Sequence, residues 1–107
     1  MSEINKTVWI VIPSWNRRAD LVACLDSLKD VTYSPIQIVV VDNASQDGTF
    51  EAISNKFPEV IIEKMEENIG TSAASNFGFD FALNSGADFI LRLDSDTIVS
   101  ADFLEPL

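Results

Sequence analysis

A doubly wound parallel α/β sheet is the fold class this sequence predicts. Three observations point to it. Short apolar, β-branched runs recur along the chain; segments with helical spacing separate them; and polar loops follow the runs. Strands that alternate with helices imply a parallel sheet with right-handed crossovers.

The elements follow in order. Thr7-Val8-Trp9-Ile10-Val11-Ile12 is apolar on both faces, as a central parallel strand is, and is expected to stop at Pro13. Ser14-Trp15-Asn16-Arg17 then reads as a loop. Arg18 to Lys29 places Leu21, Leu25 and Leu28 at helical spacing, and Asp30 to Pro35 breaks that helix. Ile36 to Val41 is a second buried strand that ends in Asp42 and a polar loop, Asn43 to Thr49. Within that loop Asp47-Gly48-Thr49 reads as a turn with a left-handed glycine before a helix over Phe50 to Phe57.

Glu59 to Met65 is a third strand with the mixed face of an edge. Ala73, Ala74, Phe77, Phe81 and Ala82 fall on one helical stripe, with Gly86 as its stop. Phe89 to Leu93 is the fourth strand, expected to be buried. Ser100 to Leu104 reads as the first turn of another helix capped by Ser100.

Size and charge narrow the function. The 107 residues make one domain, 1–107. A hydrophobic fraction of 47% with 22% charged residues is ordinary for a globular protein. The net charge of −10 argues against a nucleic-acid partner, since that needs a basic face. It leaves room for a small phosphorylated ligand held through a metal. The lone Cys24, among Leu21, Val22, Leu25 and Leu28, reads as a buried thiol and fits a reducing compartment; the absence of histidine excludes histidine chemistry within the chain. No apolar run is long enough to span a bilayer, and Met1 to Lys6 lacks a secretory pattern. The expected location is cytoplasmic, extending to the inner face of the membrane.

A strand order of 3-2-1-4 puts the switch point between strands 1 and 4 and brings three loops together: Pro13 to Arg17, Asp42 to Thr49, and Asp94 to Thr97. Asp94 and Asp96 supply hard oxygen ligands suited to Mg²⁺ or Mn²⁺. Both face one ion if strand geometry continues through Ser95; if the chain turns, one takes metal and the other a sugar hydroxyl. Trp15 reads equally as a nucleobase stacker and as a hydrophobic plug. Asp42 can accept from a ribose hydroxyl or a base N–H, or cap its own loop. Asn68-Ile69-Gly70 precedes a helix N-terminus that could face a phosphate, though a plain loop-to-helix junction accounts for it better. Arg17 and Arg18 could approach a diphosphate. Arg92 either pairs with an acidic neighbour or reaches toward the ligand.

The chain resembles the N-terminal half of inverting GT-A glycosyltransferases of family 2, from about Thr7 to its last residue. The carriers are Val11 to Arg17, Val40 to Thr49, Glu67-Asn68-Ile69-Gly70 and Leu93-Asp94-Ser95-Asp96. The resemblance implies a Rossmann-like GT-A domain that binds a nucleotide-diphosphate sugar, with UDP- and dTDP-sugars first in line. Pro13 to Asn16 and Asp42 would contact the base, Asp94 would lie near the ribose and donor sugar, and Asp96 would coordinate the metal. The acceptor would be a glycan or lipid-linked hydroxyl, and the general base is expected beyond Leu107. The chain is therefore expected to be a donor-binding half, inactive by itself. Tyrosine is frequent in the family where Trp15 stands, and many members carry arginine where Ser75 stands.

Two rivals remain. Asp94-Ser95-Asp96-Thr97 also resembles the nucleophile motif of haloacid-dehalogenase-type phosphatases, with Asp94 as nucleophile and Asp96 as acid/base. That motif usually opens its domain, whereas three strands precede it here, and the Asp42 loop would be unexplained. The other rival is a non-catalytic nucleotide-sugar-binding module.

Overall fold

A computed structural model describes residues 6–106. Met1–Asn5, part of the stretch read for a secretory pattern, and Leu107 lie outside them. The elements are β1 (Val8–Ser14), α1 (Arg18–Lys29), β2 (Ile36–Asp42), α2 (Thr49–Lys56), β3 (Ile61–Lys64), α3 (Thr71–Asn84) and β4 (Phe89–Arg92). The strands form one parallel sheet in the order β3-β2-β1-β4, as the element pattern predicts.

β1 is buried along its whole length, so both of its faces need a cover. Successive side chains point to opposite faces of a strand. Val8, Ile10 and Ile12 join Val40 beneath Leu21, Cys24, Leu25 and Leu28 of α1 and Ile53 of α2. Trp9 and Val11 join Val39 against Ala82 of α3. Helices thus cover both faces. Phe57, 1% exposed just after α2, fills the first of these layers. Cys24 is buried as expected; burial, reinforced by the negative charge of Asp96, pushes its thiol up to about 11. That thiol is unreactive at neutral pH.

Several expectations need correction. β1 does not stop at Pro13 but continues through it to Ser14, in register with Val41 and Asp42. The Val11 carbonyl accepts from the Leu93 N–H at 3.0 Å and the Ser14 carbonyl from the Asn43 N–H at 2.8 Å. Alternation therefore turns the Pro13 nitrogen toward β4, whose pairing has ended at Val11–Arg92. No ladder donor is lost there, so proline is tolerated.

β4 is not a buried strand. Phe89 is 45% exposed, because among the described residues β4 has a neighbour on one side only. β3 is the edge strand expected, though shorter. Of the expected α3 stripe, Ala74 and Ala82 are buried and Phe81 packs half-buried against Trp9, but Ser75 and Gly78 take the inner places given to Ala73 and Phe77; Phe77 is 39% exposed. The helix sits so close to β1 that a β-carbon at Gly78 would lie 2.3 Å from Val11 Cγ1. Close approach selects small side chains at the contact, with Phe79 and Phe81 half-buried beside it and Phe77 turned outward.

Ser100 to Leu104 forms turns, not a helix. Its bonds run from the Phe103 N–H to the Ser100 carbonyl and from the Glu105 N–H to the Asp102 carbonyl, at 3.2 and 3.0 Å. The segment is tied to α1 and the loop after it. The Thr32 N–H donates to the Ala101 carbonyl at 2.8 Å, the Val99 N–H donates to Ser27 Oγ, and Leu104 is buried against the α1 layer.

Candidate functional site

At the carboxyl ends of the strands, the loops are bonded to one another as well as to the sheet. The Asn16 backbone is left-handed (φ 51°), a conformation asparagine tolerates better than most residues. Its N–H donates to Ser45 Oγ and its Oδ1 accepts from the Gln46 N–H, both at 2.8 Å. Asn43 links the other way: its Oδ1 accepts from the Ile69 N–H at 2.9 Å and its Nδ2 donates to the Gly70 carbonyl at 3.1 Å. The Asn68 side chain accepts from the Gly70 N–H at 2.8 Å, which is the local junction role.

Asp47 joins two helices. It accepts from the Arg18 N–H at the start of α1 (3.0 Å) and from the N–H and hydroxyl of Thr49 at the start of α2. Gly48 between them is left-handed (φ 79°), as the turn requires. Burial pushes the Asp47 carboxyl up, but the bonds from Thr49 and Arg18 outweigh it and hold the group below the ordinary 3.8. A depressed carboxyl stabilises the fold above its unfolded value and loses that contribution as pH falls through the folded one. Asp47→Ala is expected to cost about 1 kcal/mol at neutral pH. Thermal melts across pH should show that deficit shrinking below pH 3.8. A deficit independent of pH would mean the charge is not what matters.

Between β1 and β4 lies a cavity of about 340 Å³. The end of β1 contributes Pro13, Ser14, Trp15 and Arg17, and the loop after β2 contributes Asn43. Thr71 opens α3 at its wall, and Arg92, Asp94, Ser95 and Asp96 close it from β4. Trp15 is 53% exposed and borders a second, shallower hollow with Asn16, Arg17, Arg18 and Asp47. It is a free aromatic face, not a hydrophobic plug. A larger hollow beside Tyr33, Pro35 and Phe57 lies by the amino end of β2, away from the edge where parallel sheets hold ligands.

The structure thus unites Pro13, Trp15, Asp94 and Asp96 in one cavity. Asn16, Asn68 and Gly70 stand outside its walls and build the loops that shape it. Asp42 is fully buried beside it. Its Oδ1 accepts from the Ser45 N–H at 3.3 Å. Among the described residues the buried side-chain atoms without a hydrogen-bond partner are Asp42 Oδ2 and Ser14 Oγ, which belong to residues paired in register. Unsatisfied polar atoms on neighbouring residues at a site edge are the kind of feature a polar ligand would complete. Ser14 enters the sequence reading only within the Pro13 to Asn16 segment, and Asn43 only within its loop; neither is picked out by itself.

The strand does not continue through Ser95. A turn closes with the Thr97 N–H on the Asp94 carbonyl at 3.0 Å, so pleat alternation does not align the two carboxylates. Among the described residues no three histidine, cysteine or acidic groups cluster to hold a metal. Two carboxylates suffice for a Mg²⁺-like ion whose other ligands are phosphate oxygens and water. The residues present therefore fit an ion that two carboxylates hold weakly and a diphosphate completes. Arg92 settles between its two readings by pairing with an acid: its Nη2 lies 3.0 Å from Asp94 Oδ1, and its Nε donates to Ser75 Oγ at 3.0 Å.

Comparison with known proteins shows the family. The family model described as glycosyl transferase family 2 matches residues 9–107. An uncharacterized glycosyltransferase of Haemophilus influenzae is 36% identical over 63 residues, 59% of this chain and 21% of that protein. Glycosyltransferase AglE of Haloferax volcanii is 36% identical over 68 residues, 56% of this chain and 22% of that one. The chain thus spans about a fifth of the length of these relatives.

Among solved structures, S. aureus TarS 1-349 in complex with UDP superposes with a TM-score of 0.83 at 22% identity, over 94% of this chain and 30% of that one. The same protein with UDP-GlcNAc gives 0.83. A Pyrobaculum calidifontis mannosyltransferase with GDP-Man and Mn²⁺ gives 0.70 at 25% identity, over 83% of this chain and 27% of its own. Among the described residues no helix is long and apolar enough to cross a membrane.

Proposed function

The chain belongs to glycosyl transferase family 2, and from that premise we propose that the cavity between β1 and β4 binds the donor of an inverting sugar transfer, a nucleotide-diphosphate sugar. The observation that carries this reading is the meeting of Trp15, Asp94 and Asp96 in one cavity at the switch point of the sheet. The exposed Trp15 ring stacks on the base, with Pro13 and Asn16 shaping that end. Asp42 accepts from the base, which gives its unpartnered Oδ2 a donor. Asn68 and Gly70 shape the phosphate end of the loops. UDP in TarS supports a uridine donor, with dTDP-sugars next.

Asp96, with Asp94, holds Mg²⁺ or Mn²⁺; such an ion neutralises the diphosphate leaving group. Mn²⁺ in the Pyrobaculum neighbour supports this choice. In the transfer, an acceptor oxygen on a glycan or lipid-linked substrate forms its bond to the anomeric carbon. The bond to the diphosphate oxygen breaks, and the hydroxyl proton goes to a general base beyond Leu107. This chain supplies the donor-binding part and is inactive without the rest. The reaction takes place in the cytoplasm, extending to the inner face of the membrane. Family membership favours this reading over a phosphatase with Asp94 as nucleophile.

Calorimetric titration of UDP with and without Mn²⁺, into the chain and into Asp96→Ala, tests the proposal. Binding should need the metal and weaken at least about tenfold in the variant, the loss expected when a charge-assisted contact is removed. Metal-independent binding that ignores the substitution would place the nucleotide elsewhere. Turnover by the isolated chain would overturn the donor-half reading.

A further inference from the structure

We propose that Arg92 is an exchangeable counter-ion: it holds Asp94 until the donor arrives, then passes that carboxylate to the metal and turns its own N–H groups onto the diphosphate. This rests on the donor-site reading and adds a residue to it.

Three observations carry the inference. First, Arg92 stands at the cavity wall, in the last pair that β4 makes with β1. Its guanidinium is held from two elements, by Ser75 Oγ of α3 at its Nε and by Asp94 Oδ1 at its Nη2, each at 3.0 Å. Ser75 is buried, so that anchor is fixed, while the Asp94 end faces solvent with the carboxylate side chain 64% exposed. The side chain can pivot about Nε without leaving the site.

Second, the ion pair is of the weak kind. Arg92 is itself 40% exposed, and exposed pairs hold loosely. A divalent ion carries twice the charge and competes for the same carboxylate oxygen. Once Asp94 turns to the ion, the planar guanidinium presents parallel N–H groups spaced for phosphate oxygens.

Third, positive charge in the cavity is scarce. The chain carries a net charge of −10. Of the two arginines lining the cavity, Arg17 pairs, among the described residues, only with the exposed Asp20 at 3.3 Å, whereas Arg92 is also anchored on buried Ser75. A diphosphate that enters between Asp94 and Asp96 needs a cation beyond the metal, and Arg92 is the one held in place there.

The exchange has a signature of opposite signs. Arg92→Gln keeps a hydrogen-bonding group but removes the charge that competes for Asp94. Mn²⁺ alone should bind this variant more tightly than wild type, while UDP with Mn²⁺ should bind it roughly 10- to 100-fold more weakly. Arg92→Lys should keep part of the UDP affinity, because it keeps the charge without the fork. Free Mn²⁺ is read by electron paramagnetic resonance and UDP by calorimetry, with circular dichroism checking that each variant is folded. GDP and inorganic pyrophosphate serve as second probes. A loss shared by pyrophosphate and UDP places Arg92 on the diphosphate; a loss confined to UDP overturns that contact. Unchanged UDP affinity, or unchanged Mn²⁺ affinity, in a folded Arg92→Gln overturns the exchange while the donor-site reading stands. If wild type binds neither nucleotide with metal, the donor-site reading falls and takes the exchange with it.

Discussion

Gly78→Val should lower the stability of this domain by about 3 kcal/mol or more, the largest single-residue effect the packing implies. A β-carbon at this position would meet Val11 Cγ1 at 2.3 Å, with Val11 Cγ2 and Val41 Cγ2 both at 3.3 Å. Val11 and Val41 are 0% exposed and cannot swing aside. Overpacking of this kind costs about 1–3 kcal/mol for an added methylene or two, and valine adds more bulk. Alanine is the more delicate case. It gains up to about 1 kcal/mol of helix propensity over glycine, which offsets part of the clash, so a net loss near 1 kcal/mol is expected. Urea unfolding measures both, with unchanged m-values assigning the loss to the native state. Val11→Ala combined with Gly78→Ala should cost less than the two alone added together, because the first makes room for the second. A stabilised Gly78→Ala would mean that α3 can lift off β1 without penalty.

Asp42→Asn should move stability and binding in opposite directions. The Asp42 carboxylate is fully buried, accepts one bond at 3.3 Å and leaves Oδ2 unpartnered. A buried charge so sparsely bonded is expensive, and an amide keeps the Ser45 bond while removing the charge. The variant should be as stable as wild type or about 1 kcal/mol more so. Its affinity for UDP with Mn²⁺ should fall roughly 10- to 100-fold, since with the amide oxygen kept on Ser45 the NH2 group replaces Oδ2 and cannot accept from a base N–H. Paired thermal melts and titrations read the two effects. If stability falls and affinity does not, Asp42 serves its own loop alone, the other role its sequence allows.

What sequence could and could not reveal follows from the range of the forces involved. Val8 to Ile12 and Val39 to Val41 are apolar on both faces, and that pattern is local; it identified central strands and, with helices between them, the strand order. Pro13 reads locally as a strand stop, but its tolerance depends on where β4 ends, a fact carried by Leu93 and Val11 together. The sequence stripe of α3 is right at Ala74 and Ala82 but takes in Phe77 in place of Gly78, because hydrophobicity ranks Phe77 higher, whereas distance from β1 ranks them the other way. Phe89 looked buried because an apolar strand does not report how many neighbours it has. Within the site, Asp94, Asp96 and Trp15 were visible as residue types at strand ends. The contact of Arg92 with Ser75 joins residues 17 apart in sequence on different elements, and no spacing rule announces it.

The bonds among Asn16, Ser45 and Gln46, between Arg18 and Asp47, and from Asn43 to Ile69 and Gly70 have a further consequence. None of the three loops is an independent module. A length change in the middle loop, 42–49, would withdraw partners from both 13–18 and 67–71, and a change in either of those would withdraw partners from the middle loop, so altered donor preference cannot be grafted one loop at a time. A chimera that exchanges residues 13–18 alone should bind neither parent's nucleotide well. One that exchanges 13–18, 42–49 and 67–71 as a set carries its own internal fastenings and should keep the donor's choice intact.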